Sequence, residues 1–186
     1  GISLEALAAS QQLAKALGVD CSAAVLGEGI ARVVEQLAGN ALAKINVVEH
    51  TLLAQYTADG YVHALEQMIQ KATPAYVLFP HTYQVRDFAP KLAASLGAVL
   101  VSDAVGGKFE GGKLIFTRQM FQGKFSADVS LGGDGPWFAS FQTGAFRGDQ
   151  VEAGAAPVES VSASTGEIRT RPEAPFQEAK QAVDLS

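Results

Sequence analysis

The feature that most constrains this chain is a change of hydrophobic period near residue 105. Before that point, stretches with apolar residues at three- and four-residue intervals alternate with short continuous apolar runs. This is the pattern of helices and buried strands in βαβ crossovers. Leu4, Leu7, Ala8, Leu13 and Leu17 predict a helix over 3–17, with Ser3 as its cap and Gly18 as its stop. Asp20 to Leu26 reads as a strand buried on both faces, and about 29–38 reads as a helix with Ile30, Val33, Val34 and Leu37 on one face. Lys44 to Glu49 is the next strand. A helix starting at Asp59 follows, with Val62, Leu65, Met68 and Ile69 as its inward stripe, ended by Thr73-Pro74. Ala75 to Phe79 is a strand, Gln84 to Leu96 a helix that tolerates Pro90 only near its first turn, and Val99 to Val101 a strand. Such alternation favours right-handed crossovers and a parallel sheet covered on both faces.

From residue 106 the pattern is different. Residues 106–150 hold 10 of the 19 glycines and 7 of the 10 phenylalanines, so composition turns from Ala- and Leu-rich to glycine-punctuated and aromatic. Leu114 to Arg118, Lys124 to Leu131 and Trp137 to Phe141 read as short strands in hairpin or sheet-edge arrangements. Past Gly148 the chain is rich in Ala, Val, Ser, Thr, Glu and Pro, and is expected to be an extended tail, closer to a linker than to a core element.

Charge excludes some partners. Fourteen Lys and Arg against 19 Asp and Glu give a net charge of −5, which opposes binding to nucleic-acid phosphates or an anionic membrane surface. No apolar run approaches the roughly 20 residues of a spanning helix. A chain of 186 residues can bury roughly two thirds of its unfolded surface, so its core needs neither metal nor disulfide.

Familiar chemical motifs are weak or absent. Gly27-Glu28-Gly29 between a strand and a helix has the start of a phosphate-cradling turn, but the third glycine of G-x-G-x-x-G would fall at Arg32. Two glycines easing a tight turn is the better reading. His50, His63 and His81 lack metal-pair spacing, and only His81 follows the carboxyl end of a strand, where α/β folds place ligands. Cys21 is expected to behave as a small buried hydrophobe. No G-x-S-x-G elbow is present. Ser102-Asp103 lies at a strand end, and the simplest role for Asp103 there is bonding loop amides.

Read together, several segments resemble one family. These are Thr82-Tyr-Gln-Val-Arg-Asp-Phe-Ala-Pro-Lys-Leu-Ala-Ala-Ser-Leu96, Ser102-Asp103, Phe116-Thr-Arg118 with Gln122-Gly123-Lys124, and Phe141 to Phe146. Upstream, Leu4 to Ala9, Val25-Leu-Gly27 and Tyr56 to Gly60 belong to the same set. In order and spacing they are similar to the N-terminal domain of the electron transfer flavoprotein alpha subunit.

The resemblance implies a three-layer α/β/α fold with a mainly parallel sheet, adenine nucleotide alpha hydrolase-like, with short antiparallel strands in the second half and an extended tail. It implies a domain over 1–150 and a segment over 151–186 leading toward a C-terminal FAD-binding domain. Val183-Asp-Leu-Ser186 is similar to the approach to that domain's first strand. The family's opening strand would precede residue 1, leaving a central sheet position to be filled. The partner implied is a beta subunit, with dehydrogenases as electron donors and a quinone oxidoreductase or another acceptor. FAD would be held mainly by the C-terminal domain, with no cofactor and no catalytic site in this part, in a bacterial cytoplasm or mitochondrial matrix. Arg86, Asp87, Asp103, Arg118 and Lys124, at positions matching the family's motifs, are expected to support interdomain or intersubunit contacts. The family's pattern has an arginine near Gln142, and Gln cannot form the same charged fork. The rival expectation is an adenine-nucleotide module of the stress-protein type, binding near Gly27 and Phe79 to His81.

Overall fold

The computed structural model describes residues 1–173, so the expectation for Val183 to Ser186 and the end of the tail lies outside the described residues. The element order is α1 (Ile2–Leu17), β1 (Ser22–Gly27), α2 (Ala31–Ala38), β2 (Lys44–Glu49), α3 (Ala58–Ala72), β3 (Tyr76–Pro80), α4 (Tyr83–Ser95), β4 (Val99–Glu110), β5 (Lys113–Met120), β6 (Phe125–Ser130), β7 (Trp137–Phe141) and β8 (Val158–Ser160). The α/β class holds, and the alternation up to residue 101 is reproduced element by element.

Local signals explain most boundaries. Gly18 adopts φ 70° and closes α1 in the left-handed region that glycine enters without strain. The Thr57 hydroxyl accepts the Gly60 N–H at 3.2 Å to cap α3, and Thr82 accepts the Val85 N–H at 3.2 Å to cap α4. Ser3, by contrast, is not a cap: it lies inside the first turn of α1, and Gly1 takes the capping position without a side-chain bond. Pro90 lies in the interior of α4 rather than in its first turn. Having no N–H, it leaves the Arg86 carbonyl without the usual helical donor.

The strands form two ladders. One is the parallel set β1-β2-β8, and the other has the order β3-β7-β4-β5-β6. Strands β3, β7 and the first part of β4 are parallel, and β4-β5-β6 continue as an antiparallel meander. Among the described residues β1 and β3 each pair on one side only. As an edge strand β1 is therefore half exposed, not buried on both faces as its apolar run predicts. Strand β7, predicted among hairpin or edge strands, is central: it lies between β3 and β4, and Phe138, Ala139, Ser140 and Phe141 are all buried.

Strand β4 belongs to both parts of the larger sheet. Val99 to Val101 pair with β7, the register shifts between Val101 and Ala104, and Ala104 to Glu110 pair with β5. The shift is a bulge centred on Ser102-Asp103, where Asp103 has φ 60°, a conformation that Asp tolerates better than most residues.

Helices cover both faces. On one side α3 and α4 bury Val62, Leu65, Met68, Phe88 and Leu92 against Val48, Phe79 and Phe138. On the other, α1 lays Ala9 and Leu13 on Val101, Leu114, Phe116, Ala139 and Phe141. Ile45, Val47 and Leu42 form a third cluster with Leu7 of α1 and with Ile30, Val34 and Leu37 at α2. Val33, predicted on the inward face of α2, is 48% exposed, because α2 lies against the sheet by one narrow edge.

The stretch after residue 150 is extended, and it is tied down. Gln11 of α1 donates to the carbonyls of Ala41 and Glu152, at 3.1 Å each, and accepts the Glu152 N–H at 2.8 Å. Gly154 N–H donates to Gly39 O at 3.0 Å, and β8 adds a third parallel strand beside β2. Further on, the Gln67 amide brackets the Ser164 backbone at 2.7 and 3.0 Å. The buried Asp59 carboxylate accepts the Arg169 N–H at 2.9 Å and also the Lys91 ammonium. The Lys91 bond above all, together with that backbone N–H, holds the Asp59 carboxyl below the usual carboxylate range.

Candidate functional site

The parallel strands β3 and β7 end side by side next to the bulge of β4, and the space beyond the carboxyl ends of parallel strands is where α/β sheets hold ligands. A crevice of about 280 Å³ opens there, lined by His81, Arg86, Ser102, Asp103, Arg118 and Ser140, with Val85, Ala89, Pro90 and Leu100 as apolar walls. Each polar group arrives for a topological reason. His81 follows β3 directly, Ser140 lies on the central strand, and the bulge in β4 turns Asp103 outward. Arg118 pairs with Ala104 just after the bulge, so the antiparallel extension delivers it to the end of the parallel strands. Arg86 comes from the first turns of α4, with its guanidinium 5.7 Å over the Tyr83 ring.

The interior of the crevice is a short hydrogen-bonded chain. The Ser140 hydroxyl, in a residue only 2% exposed, accepts the Asp103 N–H at 3.1 Å. The same hydroxyl hydrogen-bonds His81 Nδ1 at 2.8 Å, and His81 Nε2 faces Asp103 Oδ1 at 3.5 Å. The three residue types and two of the spacings are those of a Ser-His-Asp relay. The hydroxyl lies in an almost wholly buried residue and accepts the bulge amide, so it anchors the bulge.

The five residues singled out from the sequence divide. Arg86, Asp103 and Arg118 are brought together in the crevice. Asp87 points elsewhere and accepts the Tyr56 hydroxyl at 2.8 Å. Burial, and then this bond, push the Tyr56 phenol well above its ordinary value. Lys124 sits at the far β5-β6 turn, beside the exposed Phe121 and Phe125, whose rings meet edge-on at 6.0 Å. Ser140 was not anticipated. Its only sequence signal is a lone hydroxyl in the apolar run Trp137-Phe-Ala-Ser-Phe141.

The crevice is below the roughly 300–1,000 Å³ of ligand pockets. At the other candidate turn, the Gly29 N–H that could meet a phosphate instead donates to Glu49 Oε1 at 3.0 Å. A Cβ on Gly27 would meet Ile30 Cγ2 at 2.6 Å, so that glycine serves close packing. Among the described residues there is no group of three or more His, Cys, Asp or Glu able to hold a metal ion, and no helix long and apolar enough to cross a membrane.

Comparison with known proteins places these features in context. A family model described as the electron transfer flavoprotein domain matches residues 1–165. The chain is 30% identical over 190 residues to the electron transfer flavoprotein subunit alpha of Bacillus subtilis (strain 168), covering 100% of this chain and 56% of that protein. It is 33% identical over 156 residues to the corresponding subunit of Syntrophomonas wolfei, covering 83% of this chain and 49% of that one. An acryloyl-CoA reductase electron transfer subunit beta of Anaerotignum propionicum is 28% identical over 99 residues, or 53% of this chain and 27% of its own. The chain thus spans about half the length of the first two relatives.

Proposed function

The chain belongs to the electron transfer flavoprotein domain family, and from that membership we propose that it is the N-terminal scaffold domain of an alpha subunit, docking a beta subunit and supporting FAD-mediated electron transfer. The observation that carries this reading is the alignment of the whole of this chain with 56% of a protein named as subunit alpha. The relatives' names designate subunits, so their working forms are assemblies, and this chain would act as one part of such an assembly. On this reading residues 1–150 are the docking domain and 151–186 lead toward a flavin-holding domain. FAD would be held mainly there. Electrons would come from dehydrogenases and leave to a quinone oxidoreductase or another acceptor, in a bacterial cytoplasm, with this part acting as a carrier's scaffold without catalysis of its own.

An exposed apolar cluster supports the docking reading. The end of the β5-β6 hairpin presents Met120, Phe121 and Phe125 at 38%, 73% and 65% exposure, with Lys124 between them. Exposed aromatic clusters rimmed by charge are the usual anchors of protein interfaces. The test is co-purification of this chain with the beta subunit encoded by the same organism. Co-elution in size exclusion at micromolar concentration is expected, and it should be lost in the double variant Phe121→Ser, Phe125→Ser, which removes no buried contact. Failure of the unsubstituted pair to associate would overturn the docking role.

A further inference from the structure

We propose that the crevice at the carboxyl ends of β3 and β7, beside the β4 bulge, binds one small oxyanion, a phosphate or carboxylate group, through the guanidinium groups of Arg118 and Arg86. Both arginines line the same cavity, one from β5 and one from α4. Neither has a carboxylate within salt-bridge distance among the described residues. Arg118 Nε is shielded from solvent and has no hydrogen-bond partner, the one buried side-chain polar atom so placed among the described residues. A sequestered guanidinium N–H without an acceptor is costly, and an oxygen ligand arriving from the crevice would relieve that cost.

The carboxylate already present does not fill this role. Asp103 faces His81 Nε2 at 3.5 Å, and its own N–H is committed to Ser140. In the crevice two guanidinium charges confront one carboxylate, which leaves room for at least one further negative charge. The volume of about 280 Å³ admits a phosphate or carboxylate with its first attached groups. Guanidinium is the side chain best matched to the paired oxygens of either group. The oxyanion can arrive on a small molecule or as an Asp or Glu side chain of another polypeptide, and the two sources differ in which simple anion binds better. The inference does not depend on the docking role proposed above.

The test is an NMR titration of the full chain with sodium phosphate and, separately, with sodium acetate, at ionic strength held constant with sodium chloride. The readout is the Arg118 Nε–Hε cross-peak, assigned by its loss in Arg118→Lys. A saturable shift with a midpoint on the order of 1 mM is expected. Tighter phosphate binding would point to a small phosphorylated molecule, and acetate binding as tightly or more tightly to a carboxylate side chain. Arg86→Gln, a change on the mouth of the crevice, should weaken the midpoint at least about tenfold. Lys124→Gln, outside the crevice, should leave it unchanged. A linear drift matching that in sodium chloride alone, or equal losses in the Arg86 and Lys124 variants, would overturn the proposal.

Discussion

Replacing Ser140 with alanine removes one oxygen atom and almost no volume, yet that oxygen holds the β4 bulge. In the native chain it accepts the Asp103 N–H at 3.1 Å and bonds His81 Nδ1 at 2.8 Å, in a residue 2% exposed. Ser140→Ala therefore leaves a main-chain donor and a ring nitrogen without partners. Each orphaned buried group costs about 1–3 kcal/mol. The His81 side chain is 16% exposed and can recover part of its loss from water, so the Asp103 amide dominates. The total is about 2–3 kcal/mol. Urea unfolding followed by circular dichroism should show the midpoint falling by about 1 M with an unchanged slope, taking a slope of about 2 kcal/mol per M. The Asp103 amide, protected in the native chain, should then exchange with solvent faster than its neighbours Val101 and Ala104. A stability loss under about 0.5 kcal/mol, the usual range of an inconsequential surface change, would refute the reasoning that this hydroxyl holds the bulge in register.

Other expectations follow from features farther away. Asp59→Asn should cost about 1–2 kcal/mol at neutral pH, because the Lys91 ammonium and the Arg169 N–H lose a charged acceptor. The native carboxyl titrates below its unfolded value of 3.8, so its contribution is complete above that value and disappears as pH falls through the lower folded one. Denaturation curves of the two proteins should converge in that acidic window, and a difference that persists below it would refute the assignment. Gly154→Ala would set a Cβ 2.6 Å from Ala41 Cα and 2.8 Å from its nitrogen, both rigid backbone. A loss of about 1–3 kcal/mol is expected, with faster hydrogen exchange at Gly154 and Ala156, and wild-type stability would show that the strip beside β2 is loosely held. Burial pushes the Cys21 thiol up to about 11, so alkylation at pH 8 should be about a hundredfold slower than for a free cysteine. A rate within threefold of a free cysteine would count against that burial.

What the sequence revealed depended on how local each cause was. The inward stripe Val62, Leu65, Met68 and Ile69 is buried as its spacing predicts, because one helix face decides it. Trp137 to Phe141 was legible as a strand, but not as the central one, since nothing within five residues records that β7 enters between β3 and β4. Pro90 marked α4 as unusual without showing that packing of Phe88, Ala89 and Leu92 outweighs the lost helix bond. In the crevice, Arg86, Asp103 and Arg118 were found through resemblance, while Asp87 and Lys124 shared their motifs and lie elsewhere. Ser140 could not be singled out, because its importance comes from Asp103 and His81, which lie 37 and 59 residues away in the chain. Residues 151–169 carry few large apolar side chains, so composition marked them as loose, and the side chains that fix them, Gln11, Asp59 and Gln67, are far upstream.

The late arrival of β8 also bears on how the chain is made. Strand β2 ends at Glu49 and its parallel neighbour begins at Val158, so the two meet only after roughly 110 further residues have been synthesised. At bacterial and eukaryotic elongation rates that interval lasts about 5–20 s. Throughout it, the hydrogen-bonding flank of β2 that β8 will cover stands open on the nascent chain, available to other extended segments. Ribosome pausing between the codons for β2 and β8 would prolong that open period, and this interval is where a holdase chaperone would have most to protect.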